Sequence, residues 1–178
     1  MSKQLTKAQW VRHGLRALAE HGPNGLKVGA MATALGVSRG SFYWHFVDIA
    51  DFKTQVLDAW ARGTTDQVRE LVANAGDGVD RLSELMRLVF GAGRQLDRSV
   101  RAWAASEPPI AVLVADVDVK RAAFVSDLLR EAGVAEPAAT RRGAFLYWAL
   151  LGQTFVAAPA QAALADDGMA DIADLFRT

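Results

Sequence analysis

The stretch KVGAMATALGVSRGSFYWHFVDIADF, Lys27 to Phe52, decides how the chain is read. Val28, Met31, Ala32 and Leu35 recur at i, i+3, i+4 and i+7, the spacing of a short amphipathic helix. Gly36 stops it, because a residue there needs the positive φ that glycine adopts without strain. Ser38 stands where a side-chain oxygen caps a third helix, Arg39 to His45. On that helix Phe42 and Phe46 share one face at i and i+4, which leaves Arg39, Ser41, Tyr43, Trp44 and His45 as polar or aromatic groups elsewhere. Two short helices joined by Leu35-Gly36-Val37-Ser38 have the layout of a helix-turn-helix, whose second helix enters a DNA major groove.

Working outward, helical spacing recurs along the whole chain, and no alternating strand pattern or Asn-Gly hairpin signal appears. Thr6-Lys7-Ala8-Gln9 is a capping box. Trp10, Val11, Gly14, Leu15, Leu18 and Ala19 follow as one apolar stripe, and His21-Gly22-Pro23-Asn24-Gly25 ends that helix. Asp48 caps a fourth helix expected to run to about Asn74, a single rod roughly 40 Å long. Further helices are expected over Val79–Phe90, Ser99–Ser106, Ile110–Glu131, Pro137–Ala157 and Ala160–Phe176. The fold class expected is therefore all-α, with about nine helices. A helix-turn-helix domain spans 1–47, and a helical domain for effector binding and dimerisation spans 48–178.

The 178 residues hold 20 Lys+Arg and 20 Asp+Glu, a formal charge of zero. That sum hides a division. In residues 1–46, Lys3, Lys7, Arg12, Arg16, Lys27 and Arg39 stand against Glu20 alone, which gives +5 and leaves −5 for the remainder. A basic head on an acidic body suits a head that meets a polyanion. The absence of cysteine removes disulfides and thiolate chemistry and fits a reducing compartment, so a cytoplasmic location is expected. The N-terminus has no signal-peptide pattern. The longest weakly charged run, Gly143 to Ala165, is interrupted by Gln153, Pro159 and Gln161, so no membrane span is expected.

Lys27 to Phe52, with the Trp10–Gly22 helix before it, resembles the tetracycline-repressor (TetR) family of transcriptional regulators. The likeness rests on the Gly-Val-Ser turn followed by an aromatic pair and a Phe, and it covers about the first 60 residues. It implies a homodimer that binds double-stranded DNA at a palindromic operator, usually repressing, and releases it when a small-molecule effector enters the helical body. Carried over by position, it places DNA contacts on Arg39, Gly40, Ser41, Tyr43, Trp44 and His45, supported by Lys27, Val28, Thr33 and Ser38. The family usually carries a Lys just after the cap of the fourth helix, where this chain has Ile49. Lys53, one turn on, is the candidate to replace that phosphate contact. For His45 the alternative is a helix-end residue that favours the helix dipole.

In the body, Trp60, Phe90, Trp103, Phe124, Tyr147 and Trp148 are candidates to line an effector pocket, with Gln153 and Thr154 as its polar groups; the alternative is ordinary core. Phe155 belongs to the same aromatic set. Arg94, Arg98 and Arg101 form either an anion site or a solvated face partnered by Asp97 and Glu107. Small residues such as Gly143, Ala149, Gly152 and Ala162 suit closely packed helices at a dimer interface. No hydrolase, P-loop or zinc motif is present, so neither catalysis, cofactor nor metal is expected. An all-helical module that binds a small molecule or a protein but no longer reads DNA is the competing reading.

Overall fold

In the computed structural model, the residues described are 5–91, 95–153, 155, 172, 175 and 176, and every regular element among them is helical. The order is α1 (Lys7–His21), a 3-10 turn (Gly22–Gly25), α2 (Val28–Leu35), α3 (Gly40–Tyr43), α4 (Ile49–Thr64), α5 (Asp66–Ala73), α6 (Gly78–Gly91), α7 (Gln95–Ala104), α8 (Pro108–Glu131) and α9 (Ala138–Gln153). The chain divides into two compact units. One holds Met1–Gly63 with Arg94–Val114, and the other Thr64–Gly93 with Ala115–Thr178.

In the first unit, α1 begins as its sequence dictates. The Thr6 hydroxyl accepts from the Gln9 amide at 3.3 Å, and the Gln9 side chain accepts from the Thr6 amide at 2.8 Å, closing both halves of the capping box. The helix buries Trp10, Gly14, Ala17 and Leu18. At Gly14 a Cβ would stand 2.7 Å from ring and methyl carbons of Phe52 and Val56, so α1 and α4 approach as closely as they do only because Gly14 has none. The ring of Phe42 sits edge-on to Trp10 at 5.4 Å and to Phe52 at 5.3 Å, and Phe46 meets Phe52 at 4.9 Å. Such edge-to-face packing adds about 0.5–1.5 kcal/mol per pair to the burial itself. The α7 helix belongs to this unit, where the Ser99 hydroxyl donates to the Ala19 carbonyl at 3.1 Å. Trp103 of α7 is buried.

The second unit is built on Val72 of α5, Leu82 and Met86 of α6, Leu129 of α8 and Leu146 of α9, all buried in one cluster. Tyr147 donates its buried hydroxyl to Asp118 Oδ1 at 2.6 Å, which joins α9 to α8 by a charge-assisted bond.

Two expectations fail. The fourth helix is not one rod to Asn74. It breaks at Thr65, whose φ of −126° and ψ of −65° leave the helical region, so that α4, of 16 residues, is about 24 Å long. Gly63 and two β-branched threonines weaken the helix locally, and Arg121 of α8 donates to the hydroxyls of both Thr64 and Thr65, taking them as partners at the break. Ser38 does not cap α3 with its side chain either. That helix starts from Arg39 with no side-chain cap, and its first amides, Ser41 and Phe42, donate to the carbonyls of Ser38 and Arg39. The expected last helix, Ala160–Phe176, lies outside the described residues save for 172, 175 and 176, and Thr154 also lies outside them.

Candidate nucleic-acid interface

The turn between α2 and α3 is set by Gly36, at φ +67° and ψ +34°. Its amide donates to the Thr33 carbonyl and the Val37 amide reaches back to Ala32 at 3.0 Å, a left-handed cap that satisfies the last carbonyls of α2 and turns the chain into α3. The α3 helix has barely one turn of its own. Phe42, fully buried at its centre, therefore fixes its orientation, and the neighbours of Phe42 in sequence are forced outward. Tyr43 is 61% exposed and Trp44 87%. Two large rings left in water beside a buried one make an adhesive surface, since each offers apolar area and a polar tip at little cost in side-chain entropy.

The other residues expected at this surface are distributed around it. Arg39 is exposed, and its guanidinium lies across Gly29 of α2, where a Cβ would stand 3.0 Å from Nη2. Lys27 is exposed at the start of α2, with its carbonyl accepting from the Met31 amide at 3.0 Å. Ser38 and Gly40 are exposed, Val28 and Ser41 half-buried. Thr33 is exposed, and its hydroxyl donates to the Gly29 carbonyl at 3.0 Å within α2.

Two residues turn elsewhere. His45 is half-buried, with Nε2 2.6 Å from the Leu5 carbonyl. A carbonyl only accepts, so Nε2 carries the proton and the ring ties the segment before α1 to the end of α3. Lys53 places its ammonium 5.3 Å from the ring centroid of Trp103, a cation–π contact inside the first unit. It stands one helical turn beyond Ile49, on nearly the same side of α4.

The start of α4 is acidic. Asp48 Oδ1 accepts from the Asp51 amide at 2.8 Å, and Asp51 in turn accepts from the Val47 amide at 3.0 Å and from the Gln55 side chain at 2.6 Å. The bond from Gln55, then that from Val47, holds the Asp51 carboxyl below the usual carboxylate range, and the Lys7 charge assists. The helix N-terminus is thus satisfied by two carboxylates of its own.

The effector candidates do not form one group. Trp60 and Trp103 are buried in the first unit. Phe90 and Phe124 are half-buried against the core of the second, and Tyr147 is spent on Asp118. Gln153 donates to the Phe90 carbonyl at 3.2 Å, while its Oε1 is buried with no hydrogen-bond partner among the described residues. Trp148, 66% exposed, is no pocket residue; Leu146, Tyr147 and Leu150 take the inward positions of α9 and turn it out. Arg101 pairs with Asp97 at 2.9 Å, but both side chains are largely buried, so this pair is not the solvated face expected; Arg94 lies outside the described residues. A cleft of about 410 Å³ on the first unit, lined among others by His13, Arg16, Glu20 and Met31, had no signal in the sequence, since its lining comes from separate helices. The His13 imidazole there is held below its ordinary pKa by partial burial and by the Arg16 charge.

Residues 11–52 match the family model of bacterial regulatory proteins, tetR family. No curated protein matches the chain. Among solved structures, E. coli NemR in its reduced form is similar with a TM-score of 0.77 at 15% identity, over 93% of this chain and 95% of that one. A transcriptional regulator from Rhodococcus sp. Rha1 is similar with a TM-score of 0.73 at 19% identity, over 97% and 94%. A protein from Saccharomonospora viridis solved in complex with choline gives 0.76 at 17% identity, over 96% and 94%. At such identities the likeness is one of fold.

Proposed function

We propose that the chain, whose residues 11–52 match the model of the tetR family of bacterial regulatory proteins, is a DNA-binding transcriptional regulator of that family: a homodimer that represses from a palindromic operator and is released by a small-molecule effector. Residues 1–47 read DNA, and 48–178 bind the effector and dimerise. The observation that carries this reading is the exposed pair Tyr43 and Trp44, held outward by buried Phe42 and Phe46 behind the left-handed turn at Gly36. Arg39, Ser41, Tyr43 and Trp44 then face base edges and sugars, while Lys27 neutralises phosphate.

Dimerisation is supported by the outward rings of Phe145 and Trp148 on α9 and of Phe155 just beyond it, 58%, 66% and 74% exposed. Apolar surface of that kind on one helix side suits a second copy. For the effector site this reading takes the second unit near Phe90, Phe124 and Gln153, supported by the buried Gln153 Oε1, which has no hydrogen-bond partner among the described residues. Effector binding reaches the head through the break at Thr64–Thr65, which Arg121 holds, instead of through a continuous rod.

One observation favours the competing module that reads no DNA. The start of α4 carries Asp48, Ile49 and Asp51, which offer a phosphate no cation. Footprinting of the duplex upstream of the protein's own gene separates the two readings. A protected, roughly symmetric site supports the regulator, and no protection at low salt supports the module.

A further inference from the structure

A helix seated in the major groove lies between two phosphate strands, so a recognition helix of one turn needs positive charge near both ends to hold its register. At the N-terminal end of α3 that charge is Arg39, with Lys27 on the helix before it. At the C-terminal end the chain runs on through Val47, Asp48 and Ile49, and the adjoining carboxylates Asp48 and Asp51 repel phosphate. The cation at that end comes from a distant part of the chain. Lys7, in the first turn of α1, places Nζ 5.4 Å from the ring centroid of Phe46, the buried anchor just past α3. Its backbone is fixed there twice: the capping box of Thr6 and Gln9 orders the turn, and His45 donates to the Leu5 carbonyl two residues before it. Leu5 is buried beneath this bond, whereas Lys7 is exposed.

We infer that Lys7 is the phosphate-contacting residue at the C-terminal end of the recognition helix, and that His45 is its positioning residue, anchoring the start of α1 instead of touching DNA. The inference rests on the DNA-binding reading above. Asp51, close enough for its carboxyl to feel the Lys7 charge, does not neutralise it by contact: its oxygens are engaged by Val47 and Gln55, and no ion pair joins Asp51 to Lys7.

The test is a salt titration of the full-length protein on its footprinted operator duplex and on a random duplex, followed by fluorescence anisotropy. For Lys7→Gln the slope of log affinity against log salt becomes less negative by about 0.9 for each subunit bound, equally on both duplexes. Lys7→Arg keeps the wild-type slope. His45→Ala gives the change seen with Lys7→Gln, the two together give no more than either alone, and His45→Gln, which retains an N–H donor, restores the slope. Lys120→Gln, whose side chain pairs with Asp116 in the second unit, is the control for loss of one charge. A wild-type slope in Lys7→Gln, or additive losses from Lys7 and His45, overturns the inference while DNA binding stands. A wild-type protein that binds neither duplex overturns the reading itself, and the inference with it.

Discussion

The end of the recognition helix and the middle of α9 carry similar runs of aromatic residues and use them differently. In Phe42-Tyr43-Trp44-His45-Phe46 the first and last rings are buried and the pair between them is exposed; Arg39 precedes this run, and Lys7 lies over its last ring. In Phe145-Leu146-Tyr147-Trp148 the inward positions go to Leu146 and Tyr147, and Phe145 and Trp148 are exposed; Phe145 stacks on Phe176 at 5.8 Å. Exposed rings flanked by positive charge suit a polyanion that offers sugars and base edges for contact. Exposed rings flanked by other rings suit an apolar partner. What surrounds an outward ring, more than the ring itself, assigns its use.

The comparison breaks first at its anchor. Phe42→Ala removes the buried ring on which α3 turns, and should cost about 3–5 kcal/mol of stability, read as a large fall in the thermal midpoint. Next come the outward rings. Tyr43→Ala and Trp44→Ala should each lose about 1–3 kcal/mol of operator binding with an unchanged melting midpoint, measured by anisotropy and calorimetry on the same preparations. A lowered midpoint would mean that these rings belong to the core. On α9, the pair Phe145→Ser and Trp148→Ser should shift the protein towards monomer in sedimentation velocity while monomer helicity persists; an unchanged sedimentation coefficient would remove α9 from the interface.

A smaller effect is electrostatic and lies at the start of α4. The folded protein holds the Asp51 carboxyl below its ordinary pKa, mainly through the Gln55 bond. Its contribution to stability is therefore present above the ordinary carboxylate pKa and is lost as pH falls through the lowered one. Asp51→Asn should show a smaller loss of stability on acidification than the wild type, in chemical denaturation repeated across that window. Glu84 and Glu136 are lowered in the same direction, first by the bonds from Arg87 and from Thr140 respectively, and act in the same sense.

Much of the head was legible because its determinants are local. The Thr6–Gln9 box, the left-handed Gly36 and the i, i+4 pair Phe42 and Phe46 each act within a few residues, and each stands as the pattern requires. Several departures from the pattern involve a partner distant in sequence. At the break, Arg121, more than fifty residues on, donates to the hydroxyls of Thr64 and Thr65, and Lys53 lies over Trp103. His45 turns to Leu5, forty residues before it. Trp148 is turned outward by the packing of Leu146 and Leu150 on its own helix, which residue type alone does not reveal. The same distance hid Lys7, which nothing in Lys27–Phe52 points to.

The first unit is proposed to bind duplex DNA through the face bearing Arg39, Tyr43 and Trp44. The most direct test is the affinity of the intact protein for its operator duplex as a function of salt, for the wild type, Arg39→Ala and Lys27→Ala. A steep negative slope in the wild type, made shallower by each substitution, is the predicted result. A flat wild-type line, or a steep one that neither substitution changes, would contradict it.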